Sequence, residues 1–361
     1  MSVPPIRREE SNVKFRGKRT VLGLAVFTLG LIATSAGLIA SAAADSQPAC
    51  AISDTRNHKS FSSLQQAVDA AKAGDTLEVK GNCVGNTSVD RDVTLKGVTN
   101  KAFPGTPTLD GNNQGRVLTI NGGTTTIQGL TITNGQTTSA GGGIYVATAA
   151  VLVNVLVTGN TAGANNFGGG IEADLGSNLT LINSTVSGNT AGSSGGIDMF
   201  RAKATLINST VTGNQATRAP GPITDSGCEF AGVIYACAGG IWNYQGTLAL
   251  TNSTVSSNTA AYRGGGVTSY VRLVSGNPVS GLTILSGATS ISSNTAGDNG
   301  GGIFVNNTIT NSTVGVHAAD GTATYKDPIT GATLPGWTGS VSGNTPNQCF
   351  PTLTIGGTNC A

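Results

Sequence analysis

Glu172, Asp174 and Asp198 are the residues of this sequence best placed to do chemistry, because they sit among aromatic residues in short segments that each follow a glycine cluster. After the clusters, the first and third residues are Ile144/Val146, Ile171/Ala173, Ile197/Met199, Ile241/Asn243, Val267/Ser269 and Ile303/Val305. This mainly apolar set faces inward if the segments are strands. The second and fourth residues then face outward: Tyr145/Ala147, Glu172/Asp174, Asp198/Phe200, Trp242/Tyr244, Thr268/Tyr270 and Phe304/Asn306. Six of the chain's 17 aromatic residues and three of its 18 carboxylates fall in this one column, which makes it the first place to look for function. If successive segments stack, Glu172 and Asp198 stand ~5 Å apart and Glu172 and Asp174 ~7 Å apart. Such spacings bracket the carboxylate separations of retaining and inverting glycosidases. One carboxyl, raised in pKa by its neighbours, would protonate a leaving oxygen while another attacks or activates water.

The rings of Tyr145, Phe200, Trp242, Tyr244, Tyr270 and Phe304 stack well on the apolar faces of sugars, so the column would track an extended glycan. A calcium ion held by Glu172, Asp174 and Asp198 is a further use of the same carboxylates. Against these readings, exposed acids also keep a β-face soluble, and rings can cover a sheet edge or a partner. Two histidines, His58 and His317, make no Ser-His-Asp set, and no glycine-rich segment ends in the Gly-Lys-Ser/Thr of a phosphate loop.

The elements that must position this column come from an internal repeat. Asn183-Ser-Thr-Val-Ser-Gly-Asn, Asn208-Ser-Thr-Val-Thr-Gly-Asn and Asn252-Ser-Thr-Val-Ser-Ser-Asn share one template, and Asn154 to Gly163 and Ser290 to Gly297 follow it loosely. Apolar alternation, β-branched residues and dense Gly/Asn punctuation argue for strands. Three strands with turns fit a unit of ~25 residues, stacked at ~4.8 Å. The expected fold is all-β, a single-stranded right-handed parallel β-helix. The sequon asparagines Asn183, Asn208, Asn252 and Asn311 are expected to stack inward as an amide ladder instead of accepting glycans. The outward Thr131/Thr133, Thr185/Ser187, Thr210/Thr212, Thr254/Ser256 and Ser290/Ser292 form a Thr-x-Thr pattern like that of ice-binding solenoids, a remote reading beside simple β-propensity.

Residues 1–44 read as an export signal, with Lys14, Arg16, Lys18 and Arg19 before an apolar run that closes on Ala42-Ala43-Ala44. An uncleaved anchor is the rival. Of 20 Lys+Arg and 18 Asp+Glu, six and two lie in that segment, leaving 14 and 16, a mature net charge near −2. That balance argues against a nucleic-acid partner. Residues 45–74 are expected to cap the solenoid with an amphipathic helix over 61–72, and 75–345 to form the solenoid with a loop insertion at 218–237. Residues 346–361 then make a C-terminal cap. The pairs Cys50/Cys83, Cys228/Cys237 and Cys349/Cys360 are expected as disulfides of an oxidising compartment.

The segment Leu64-Gln-Gln-Ala-Val-Asp-Ala-Ala-Lys-Ala-Gly-Asp-Thr-Leu-Glu-Val, then Leu109-Asp-Gly and the G-G-G-[IV] and V-x-x-N repeats, resembles bacterial right-handed β-helix proteins of the pectin-lyase-like superfamily. The repeats in particular are similar to those of polymorphic outer-membrane proteins. The resemblance spans roughly residues 61–345 and implies the fold; that superfamily includes lyases, hydrolases, esterases and non-catalytic adhesins. Its lyases place a basic group near calcium, for which Arg201 or Arg263 is available. The expected function is that of a secreted bacterial protein, a monomer free of the membrane after cleavage, that binds a polysaccharide or cell-surface glycan. An adhesin or structural solenoid is one alternative, and a polysaccharide-degrading glycosidase or lyase another.

Overall fold

The computed structural model describes residues 49–218, 229–230, 233–234, 238–274, 277–306, 315–322, 324–350, 353–355 and 358–360. The expected export signal at residues 1–44, Cys228, Cys237 and the Asn311 sequon lie outside the described residues. The chain is a right-handed parallel β-helix. Its first sheet stacks Thr87–Val89, Leu118–Ile120, Ile144–Val146, Ile171–Ala173, Ile197–Phe200, Ile241–Tyr244, Val267–Tyr270, Ile303–Val305 and Cys349–Phe350, all parallel. A second sheet runs from Asp75–Val84 through Lys203–Ile207 to Gly315–Ala318, and a third from Thr108–Asp110 through Thr210–Thr212 to Ser340–Ser342. Two-residue strands such as Thr190–Ala191 add a narrow fourth column. Strands on either side of residues 218–237 pair in unbroken register, Ile197 with Ile241 and Thr210 with Thr254.

Alternation puts Leu, Ile and Val from every sheet into one continuous core, in which Ile171, Leu206, Val211 and Ile241 are fully buried. The glycine clusters mark the corner where one coil's backbone crosses the next at closest approach. A Cβ on Gly196 would stand 2.4 Å from the Gly240 carbonyl oxygen, and one on Gly240 2.5 Å from that of Gly266. Only glycine fits there.

The amide ladder exists, but not at the sequons. Asn183, Asn208 and Asn252 are exposed, with φ of 49°, 49° and 50°, at the corner between the second and third sheets. Asn tolerates this left-handed conformation better than other side-chain-bearing residues. The buried ladder is formed six residues further on, by Asn160, Asn189, Asn214, Asn258, Asn294 and Asn344. Each Nδ2 donates to the next Oδ1 at 2.9–3.0 Å, and Gln348 Oε1 accepts the last at 2.8 Å. The serine of each sequon points inward instead. Ser184, Ser209 and Ser253 accept through Oγ from the backbone N–H of Val155, Ser184 and Ser209 at 3.1–3.2 Å. The recurring Asn-Ser-Thr is therefore a corner solution: a left-handed residue, an inward hydroxyl, then an outward strand residue. The outward hydroxyls of the third sheet do fall in register, Thr185 with Thr210 and Thr210 with Thr254, interrupted by Leu156.

The capping helix is Leu64–Ala70, shorter than the 61–72 expected, with Leu64, Ala67 and Val68 buried and Ser63 Oγ accepting from Gln66 N. Phe61 is taken by the strand Ser60–Phe61, which pairs with Ile52. At the other end Asp75 captures the Lys72 N–H at 2.7 Å, and Arg56 Nε donates to the same carboxylate at 2.7 Å. The Arg56 guanidinium holds the Asp75 carboxyl below its ordinary pKa. Cys50–Cys83 and Cys349–Cys360 are disulfides. Cys50–Cys83 ties the antiparallel strand Cys50–Asp54 to Asp75–Val84 across a separation of 33 residues. On loop-closure grounds its removal in Cys50→Ser/Cys83→Ser is expected to cost about 4 kcal/mol. Urea unfolding of the two proteins checks this, and coincident midpoints would contradict it.

Candidate functional site

The first sheet positions the site. Its register sets Tyr145 opposite Glu172, Glu172 opposite Asp198, Asp198 opposite Trp242, Trp242 opposite Thr268, and Thr268 opposite Phe304. The strands Ile197–Phe200, Ile241–Tyr244 and Val267–Tyr270 run one residue longer than Ile171–Ala173. That extra residue aligns Phe200, Tyr244 and Tyr270 as a second aromatic column. Their rings stack at 5.3 and 4.8 Å with interplanar angles of 11° and 16°.

The outward column is nonetheless covered. Glu172 is 5 % exposed, Asp198 3 %, Trp242 4 %, Tyr244 7 % and Phe304 4 %. Trp242, Tyr244 and Phe304 are therefore walls, while Tyr145, Phe200 and Tyr270 are half-buried. A cavity of about 210 Å³ is lined by Phe167, Glu172, Asp198, Phe200, Trp242 and Tyr244. Its volume equals that of on the order of seven liquid waters, room for one sugar ring. Phe167 packs against Trp242 at 5.3 Å and Trp242 meets Tyr244 edge-on at 6.0 Å.

Inside this apolar box the two carboxyls behave as one unit. Burial, then the Asp198 charge, raises the Glu172 pKa well above its ordinary value. Burial likewise pushes Asp198 up, to about 8, although its hydrogen bond with Glu172 acts in the opposite sense. Both carboxyls therefore hold protons more tightly than they would in water, and their mutual interaction raises Glu172 while lowering Asp198, which favours Glu172 as the protonated partner. Glu172 Oε2 and Asp198 Oδ2 are buried with no hydrogen-bond partner.

Asp174 is not part of the unit. It follows its strand, accepts a short hydrogen bond from the Tyr145 hydroxyl, and accepts from Leu175 N at 2.7 Å. Burial and this bond push the Tyr145 pKa up to about 12. Arg116 lies over the Tyr145 ring at 4.8 Å, and its Nε donates to the Gly141 carbonyl at 2.9 Å. Tyr270 extends the aromatic stack outside the lining, while Phe304 lies beneath the Arg263 guanidinium at 5.3 Å.

The calcium set does not fit this geometry. Asp174 is turned to Tyr145, only two carboxyls remain at the cavity, and its other walls are rings. Among the described residues no group of three His, Cys, Asp or Glu side chains is placed to hold a metal ion. Arg201 donates to Gln245 Oε1 at 3.1 Å and Arg263 to Asp298 at 2.8 Å, so both basic candidates are engaged elsewhere.

Phe167 and Arg116 were not singled out in the sequence. Phe167 had a signal: it occupies the position just before the cluster corner where Ala140, Ser193, Arg263 and Asn299 stand in other coils, the one aromatic among them. Arg116 had none, since its role depends on reaching Tyr145 in the next coil.

No helix among the described residues is long and apolar enough to cross a membrane. No protein-family model, curated protein or solved structure matched this chain in the comparisons made, so the assignment rests on fold and site alone.

Proposed function

We propose that this is a secreted β-helix protein that binds an extracellular or cell-surface glycan in the cavity between Phe167 and the Glu172–Asp198 pair. One observation carries the reading: two buried carboxyls, Glu172 and Asp198, line an aromatic-walled cavity. A buried unsatisfied polar group costs about 1–3 kcal/mol, so the arrangement favours an occupant that brings hydroxyls to the carboxyls and C–H faces to the rings. A sugar does both. The export-like leader and the two disulfides support secretion. The likeness of the repeats to the pectin-lyase-like superfamily supports a carbohydrate ligand by analogy only.

A screen of the purified protein against plant, algal and bacterial polysaccharides is expected to find binding. Trp242→Ala should weaken that binding at least about tenfold, the scale of one lost ring contact. Trp242→Phe, which keeps a ring in the wall, should retain most of the affinity and controls for folding. Absence of binding to any polysaccharide, or full affinity in Trp242→Ala, defeats the reading.

The retained proton favours a second reading, in which Glu172 serves as a general acid in polysaccharide cleavage. Depolymerisation lost in Glu172→Gln supports it. Binding without products supports the adhesive alternative.

A further inference from the structure

We propose that the cavity selects a sugar bearing a free ammonium group, an amino sugar, over neutral, N-acylated or acidic sugars. This deepens the glycan reading above and rests on it. Four rings, of Phe167, Phe200, Trp242 and Tyr244, surround two carboxyls, and among the described residues no cationic side chain lines the cavity. The cation nearest in effect is Arg116, whose charge reaches Glu172. Its guanidinium is committed elsewhere, to the Gly141 carbonyl at 2.9 Å, the Ser139 hydroxyl at 3.0 Å, the Ala140 carbonyl at 2.6 Å and the face of Tyr145.

Each class of sugar meets this box differently. A uronate would set a third carboxylate beside two others with nothing to neutralise it. A neutral or N-acylated sugar satisfies the open oxygens but gains nothing from the negative ring faces. An ammonium gains twice, from the aromatic quadrupoles and from a charge-assisted hydrogen bond to a carboxylate in a desolvated site. A pair holding one proton already carries a charge of −1; on binding it gives up that proton to solvent and goes to −2 as the ammonium brings +1, so net charge inside the cavity is unchanged. The other titratable groups near the pair are Asp174, held by the Tyr145 hydroxyl, and Arg116. Neither needs to move for this exchange.

The test is calorimetric titration of the purified protein with glucosamine, N-acetylglucosamine and galacturonic acid oligomers of equal length, each in two buffers of different ionisation enthalpy. The glucosamine oligomer is expected to bind at least about tenfold more tightly than the N-acetylated one, with proton release to the buffer, and the galacturonic acid oligomer most weakly. In Glu172→Gln/Asp198→Asn, a near-isosteric pair checked for folding by its thermal melt, the preference for the glucosamine oligomer over the N-acetylated one and the proton release should both vanish. Equal or tighter binding of the N-acetylated or acidic oligomer overturns the ammonium selection and leaves the glycan reading standing. The same holds if these three fail while another polysaccharide binds. Failure of every polysaccharide overturns both.

Discussion

Asn214→Ala is expected to destabilise the solenoid by about 3 kcal/mol or more. Asn214 Oδ1 accepts from both the N–H and the Nδ2 of Asn189, at 3.0 and 2.9 Å, and its own Nδ2 donates to the Val186 carbonyl and to Asn258 Oδ1, both at 2.9 Å. Alanine leaves the buried Asn189 N–H without its acceptor, breaks the amide chain in the middle and opens a void. Each orphaned group costs about 1–3 kcal/mol, and the missing volume adds to that. Asn183→Gly, at an exposed sequon position with φ of 49°, is expected to change stability by well under 1 kcal/mol, since glycine tolerates the same conformation. Urea unfolding of the two variants distinguishes buried ladder from exposed corner. If Asn214→Ala unfolds with the wild type, the ladder does not support the coil stack as argued.

The second large effect concerns pH. Glu172 and Asp198 both bind protons more tightly in the folded protein than in the unfolded chain, chiefly because burial penalises their charged forms. For a raised carboxyl the folded state holds the extra proton, so its stabilising contribution is full below the unfolded pKa. It is lost as pH rises towards the folded one. The window runs from about pH 4, the ordinary carboxyl value, to about 8 for Asp198. Across it, stability should fall with a slope approaching about 1.4 kcal/mol per pH unit for the one proton the pair retains. Asp75, Asp110 and Asp327 have lowered pKa values and act in the opposite sense, losing stability as pH drops below about 4. The comparison that isolates the pair is wild type against Glu172→Gln/Asp198→Asn at pH 5 and pH 8. The double variant should be the more stable protein at pH 8 and should lose most of the decline. An equal decline in both would show that the pair does not hold its proton.

Much of this protein was legible before any coordinates. Inward Ile171, Ile197 and Ile241 and outward Thr185, Thr210 and Thr254 follow from a side-chain period of two, and the Gly-Gly-Ile corners repeat because each coil meets its neighbour at the same close approach. The one-coil offset of Glu172 and Asp198 followed from the same repeat. The sequon asparagines were the instructive failure. Asn183 and Asn189 both recur every coil, so recurrence alone cannot say which is buried. The choice is made by backbone conformation, since a left-handed corner turns the Asn183 side chain to solvent and the next corner turns that of Asn189 inward.

Sequence by itself determined the coil, its alternation and the single column in which acids and rings collect, because these are periodic properties of neighbouring residues. Tertiary structure decided what that column is. It buried the middle of the outward face, turned Asp174 to Tyr145, brought Phe167 across from a corner to wall the cavity, and set Glu172 and Asp198 side by side within it. The physical reason is that burial and electrostatics depend on what packs over a strand from elsewhere in the chain, which no period along one strand can encode.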